Sequence, residues 1–262
     1  MCLRFRRVVL FFPFIWTLVA SAAPLRFCAD PDNLPFSNRE SRGFDNQIAV
    51  LVAHAVRREP VFVWTRNGRG FIREQFNRNT CDVLMSVPEQ MRGVLTTAAY
   101  YHSAYVFVTR KREHLQIASF DDPRLNGRKI GLQALEDNLS PPSLALIRTG
   151  HAAQLVGMNS FGAHGGDIMR AVAEGRLGTA VVWGPLAGYF TKQNHLALTL
   201  TPVDPLVDVS GIPFSFSIAM AVHKRDERLR DELNEALAKL QPRISELIAA
   251  FNVPTLPMRE PQ

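Results

Sequence analysis

Cysteine is scarce in this chain, with three residues in 262, none spaced as Cys-x-x-Cys or set beside histidines at zinc-ligand spacing. Dithiol redox chemistry and a structural zinc site are thereby excluded. There is no nucleophile elbow, no His-Glu-x-x-His, no phosphate-binding Walker loop and no dinucleotide glycine fingerprint. The seven histidines are scattered without ligand spacing. His164-Gly165-Gly166-Asp167 has the look of an oxyanion loop, but no serine elbow accompanies it, and a glycine turn with Asp167 near a helix N-cap explains it. Neither catalysis nor a cofactor is expected. A large excess of one charge is also lacking: the net of +6 is too mild for a nucleic-acid binder. No internal repeat or low-complexity segment occurs.

At the N-terminus, Arg4, Arg6 and Arg7 precede an apolar run from Val8 to Ala20 and the small-residue stretch Ala20-Ser21-Ala22-Ala23. That order is a secretory signal, expected over 1–22, and it places the protein in the periplasm. Pro13 and the small residues make the run a poor spanning helix, although an uncleaved anchor is the alternative. Nothing later is long and apolar enough for a span, so no membrane span is expected after cleavage. Removal of the signal leaves 27 Lys and Arg against 24 acids, a net of +3. It also leaves two cysteines, Cys28 and Cys81, which most simply pair in an oxidising compartment; two separate buried thiols are the alternative.

The mature chain alternates short apolar runs with helical patterns. Leu25 to Ala29 reads as a strand, followed by a turn-rich loop to Phe36. Phe44, Ile48, Leu51, Val52, Ala55 and Val56 recur at helical spacing, and Val61 to Trp64 is a second strand. Phe71 to Phe76 is helix-like, Asp82 to Val87 is a strand, and Tyr100 to Thr109 is extended. A second set runs from Lys129-Ile130-Gly131 through a helix near Asp167 to Glu174 and the strand Thr179 to Trp183. A strand over Phe216 to Val222 and two C-terminal helices follow, striped by Leu229, Leu233, Ala236, Leu237 and Leu240, then by Ile244, Leu247, Ile248 and Phe251. The alternation predicts α/β sheets with parallel strands.

Several motifs resemble one family, the type II periplasmic solute-binding proteins. They are Gly43-Phe44-Asp45 opening a helix, Cys81-Asp82-Val83-Leu84, the stretch Thr96 to Val108, and Leu125-Asn126-Gly127-Arg128-Lys129-Ile130-Gly131. The resemblance implies a two-lobed fold, each lobe a sheet flanked by helices, joined by two crossover strands: lobe 1 from 23–107 and 208–262, lobe 2 from 108–207. Three longer blocks, Cys28 to Asn38, Val181 to Phe190 and Pro213 to Val222, resemble the methanol-oxidation J-protein (MxaJ/XoxJ) branch. That branch implies a non-catalytic periplasmic accessory protein of a quinoprotein (PQQ) methanol or alcohol dehydrogenase, lanthanide-dependent ones included, assisting its maturation or activation by binding. A c-type cytochrome of the same pathway is a further implied partner. The alternative is a solute-binding protein of an ABC transporter that captures a small polar molecule. Two departures stand out: Arg92 is not at the amino-acid receptors' carboxylate-gripping spacing from Thr96 and Thr97, and Ala98-Ala99 stands where the branch commonly has Arg-Pro.

In open α/β sheets ligands meet the carboxyl ends of strands. That rule selects Asp30, Asn33, Phe36, Ser37 and Asn38 after the first strand, Trp64, Arg66 and Arg69 after the second, and Ser86 and Pro88 after the third. In the second lobe it selects Gln133, Asn138, Ser160, His164, Trp183 and Pro185. Tyr100 and Tyr101 join them from the crossover. Each has a plainer reading: loop caps for Asp30 and Asn33, ring burial for Trp64 and Trp183, solvated charge for Arg66 and Arg69, crossover packing for the tyrosines. Asp30-x-Asp32 has the start of a cation loop, but Leu34 and Pro35 stand where such a loop needs an oxygen ligand and a glycine. No metal is expected.

Overall fold

The computed structural model describes residues 23–66, 76, 78–134 and 140–258. The expected signal segment 1–22, most of the helix-like stretch Phe71 to Phe76, and the candidates Arg69 and Asn138 lie outside the described residues. No helix among the described residues is long and apolar enough to cross a membrane.

β1 (Leu25–Ala29) is buried along nearly its whole length, as a parallel strand covered on both faces must be. A small hairpin of β2 (Asp32–Asn33) and β3 (Ser37–Asn38) follows, then α1 (Phe44–Ala55), which buries Phe44, Ile48, Ala49, Val52 and Ala53 on one face. β4 (Pro60–Trp64) and β5 (Val83–Pro88) flank β1 in parallel. β6 (Leu95–Thr96) leads to the ten-residue β7 (Tyr101–Arg110).

The second half comprises β8 (Ile130–Gln133), α2 (Pro141–Arg148), β9 (Leu155–Met158), α3 (Asp167–Ala173), β10 (Thr179–Trp183), α4 (Gly184–Gln193) and β11 (Leu198–Pro202). β12 (Ser215–Val222) and the 24-residue α5 (Glu227–Ala250) return to the first half. The strand order is β4-β1-β5-β12-β7-β10-β8-β9, with β11 on β7 and β6 on β12. β7 joins the two halves. Its first residues, Tyr101 to Ala104, pair with β12, and its later ones, from Tyr105, pair with β10 and β11.

Each half has its own core: Phe27, Phe44, Ile48, Met220, Leu237 and Ile244 in the first, and Val106, Ile168, Val172 and Val182 with Phe107, Leu132, Leu146 and Phe214 in the second. Cys28 and Cys81 form a disulfide, so the paired alternative holds. One expectation is corrected. The two C-terminal helices are a single helix running through Pro242. A proline inside a helix costs one backbone hydrogen bond and some strain, about 3 kcal/mol. Leu233, Ala236 and Leu237 before it and Ile244 and Ile248 after it are all buried on the first core, and that packing keeps the helix continuous.

Candidate functional site

Where the half-sheets meet, the ends of β1, β5, β8 and β10 surround a cavity of about 500 Å³. Nine of the expected residues line it: Asp30, Asn33, Phe36, Ser37, Ser86, Pro88, Tyr101, Gln133 and Trp183. Seven others stand elsewhere. The buried Asn38 ties the hairpin to α1, its N–H donating to Asn46 Oδ1 at 3.0 Å. Trp64 packs on Phe62 with ring centroids 5.3 Å apart, and Arg66 is exposed. Tyr100 lies under the floor, Ser160 behind Gln133, and Pro185 is buried in the first turn of α4. His164 is exposed and bonded to Asp167 through Nδ1 at 2.7 Å, a surface pair completed by Arg170.

The loop after β1 is shaped by its own hydrogen bonds. Asp30 Oδ1 accepts the Asp32 N–H at 2.8 Å, and the Ser37 hydroxyl donates to the Asp30 carbonyl at 2.8 Å while accepting the Asp30 N–H. The Asp32 carboxylate is turned towards Gly162, which takes a positive φ of 57° that glycine adopts without strain. Asp30 and Asp32 therefore do not converge, and among the described residues no three acidic, histidine or cysteine side chains do. From the opposite wall, Gln133 accepts the Trp183 N–H at 2.9 Å and donates to Ser160 Oγ at 3.2 Å. Tyr105 and Phe216 set their rings edge-on to Trp183, with centroids 5.3 and 5.8 Å away.

The floor carries residues that strand-end reasoning missed. Asp45 and Asn46, in the first turn of α1, line the cavity and are buried. Asp45 Oδ1 accepts the Ser86 hydroxyl at 2.8 Å and the Tyr100 hydroxyl at 3.5 Å. Ser86 reaches it because the β5–β12 register shifts between Ala219 and Ala221, and Ser86 takes a left-handed φ of 52° there. Burial pushes the Asp45 carboxyl up to about 7, against the two hydroxyls that pull it down. Burial likewise raises both tyrosines above the usual phenol range. Asn46 Nδ2 and the Tyr101 hydroxyl are buried without a hydrogen-bond partner among the described residues. The sequence signal available for Asp45 was an acid in the first turn of a helix, directly after a glycine-led start.

Two half-sheets joined by a shared long strand, with an apolar cleft at their strand ends, define a periplasmic-binding-protein-like α/β protein. No protein-family model matches the chain. Among solved structures, MxaJ from Methlophaga aminisulfidivorans MPT is similar with a TM-score of 0.78 at 26% identity, over 88% of this chain and 100% of that one. The periplasmic binding protein XoxJ from Methylobacterium extorquens AM1 gives 0.74 at 30% identity, over 89% and 100%. Protein MoxJ of Methylorubrum extorquens is 30% identical over 254 residues, covering 90% of this chain and 83% of MoxJ. The chain belongs to this MoxJ/MxaJ/XoxJ family of periplasmic binding proteins.

Proposed function

We propose that the protein is a non-catalytic periplasmic accessory protein of methanol oxidation, exported by its N-terminal segment, that assists the maturation or activation of a quinoprotein dehydrogenase by binding it. Family membership across nearly the whole chain carries this reading. The division into lobe 1 (23–107 with 208–262) and lobe 2 (108–207) belongs to the same proposal, with β7 and the segment before β12 as the two connections. The test is addition of the purified mature protein to the dehydrogenase, reading association by co-elution and effect by the yield of active enzyme. Association with a changed yield is expected; the absence of both refutes the reading. A transport receptor would instead be stabilised by its solute and leave the dehydrogenase unaffected.

A further inference from the structure

The cleft has a chemical character of its own, separate from any protein partner. Its walls are aromatic and apolar, with Phe36, Tyr101, Tyr105, Trp183 and Phe216 facing the cavity. Its floor holds Asp45, only 5% exposed, whose side-chain hydrogen bonds among the described residues, from Ser86 and Tyr100, both fall on Oδ1. No Lys or Arg lines the cavity among the described residues. Among the described residues no cation appears among the groups that set the Asp45 carboxyl, which burial raises to about 7. An anionic ligand is disfavoured on two counts: Asp45 would repel it, and this carboxylate already occupies the first turn of α1, where the helix end would otherwise attract an anion.

A buried carboxylate with no counter-charge among the described residues, in a cleft lined by aromatic rings, is the arrangement that attracts an organic cation. Ring faces and carboxylate both act on positive charge, and the desolvated setting strengthens them. We propose that the cleft is a binding site for a small organic ammonium ion, its charge directed to Asp45 and its alkyl surface packed among Phe36, Tyr101, Tyr105, Trp183 and Phe216. This goes beyond the accessory role and requires no dehydrogenase. A failure here leaves that role standing, and the reverse holds as well.

The test is calorimetric titration of the purified mature protein at pH 8 and low salt with three probes of similar shape: choline, its uncharged isostere 3,3-dimethyl-1-butanol, and the anion 3,3-dimethylbutanoate. Choline is expected to bind at least about tenfold more tightly than the isostere, and the anion most weakly. Asp45→Asn should reduce the preference for choline several-fold, the remainder being the contribution of the rings, and thermal unfolding establishes that the variant is folded. Trp183→Leu, at a half-buried position, supplies a second reading and should lower choline affinity more than isostere affinity. Absence of choline binding, equal affinity for choline and isostere, or an unchanged preference in Asp45→Asn overturns the proposal.

Discussion

Replacing Asp45 by Asn tests the buried carboxyl directly. Burial raises its folded-state value to about 7 from an ordinary 3.8. Between those values the folded protein holds a proton that the unfolded chain has released, so stability falls as pH rises, by about 1.4 kcal/mol per pH unit. The proton-linked stabilisation is fully present below about pH 4 and is gone above about pH 7, a total of roughly 4 kcal/mol. From pH 5 to pH 8 the wild type should lose about 2–3 kcal/mol from this group alone, or roughly 5–10 °C in melting temperature for a protein of this size. Asn has nearly the same shape, keeps an oxygen to accept from Ser86 and Tyr100, and cannot ionise. Urea or thermal unfolding of both proteins at pH 5, 6.5 and 8 gives the difference, and subtraction removes every other titrating group. Asp45→Asn should gain on the wild type by that amount as pH rises. Parallel curves would refute the reading of Asp45 as a carboxyl buried without a counter-charge.

Other perturbations follow from the packing. Replacing Cys28 and Cys81 together by Ser opens a loop of sequence separation 53, and chain entropy sets the loss at about 4 kcal/mol, readable by urea unfolding against the oxidised wild type. In Gly43→Ala the added carbon would lie 2.0 Å from the Phe36 carbonyl oxygen that accepts the Asp45 N–H, so the start of α1 must shift. A loss of about 1–3 kcal/mol is expected, with weaker amide protection in the first turn. At Asp82, burial alone would raise the carboxyl, but Arg26 holds it below its ordinary value through its side chain and its N–H. Asp82→Asn should therefore cost about 1–3 kcal/mol near neutral pH. The gap to the wild type should close as pH falls through the carboxylate range, where the native Asp82 loses its charge as well, and acid titration of both proteins checks it.

Much of the fold was legible because short-range pattern and tertiary demand agree. Leu25 to Ala29 and Thr179 to Trp183 are short apolar runs bounded by turn residues, and both are buried strands, the first between two parallel neighbours and the second between parallel β8 and antiparallel β7. α1 carries its apolar face at helical spacing and needs nothing further to be seen. α2 is capped by Ser140 and opened by Pro141, but its two consecutive prolines are a local loop signal, and only the cap taken together with the proline marks a helix start. β9 and β11 are four- and five-residue strands only partly buried, and their identity comes from pairing with β8 and β7. The helix through Pro242 is hidden for a related reason: the proline is a local stop signal, and burial on both sides of it is not local.

The same division applies to the cleft. Strand ends in the sequence pointed to Asp30, Ser37, Ser86, Gln133 and Trp183, since chain direction alone decides which end of a parallel strand faces the crevice. Whether Tyr100 or Tyr101 faces the cavity, why His164 turns to the surface, and that Asp45 lies beneath Ser86 were set by tertiary structure. The tyrosine and Asp45 outcomes depend on which half of β7 pairs with which sheet and on a register shift opposite β12, and the His164 outcome on its bond to Asp167. Alternation along a strand fixes that neighbouring side chains point apart, and contacts distant in sequence decide which of them meets the cavity.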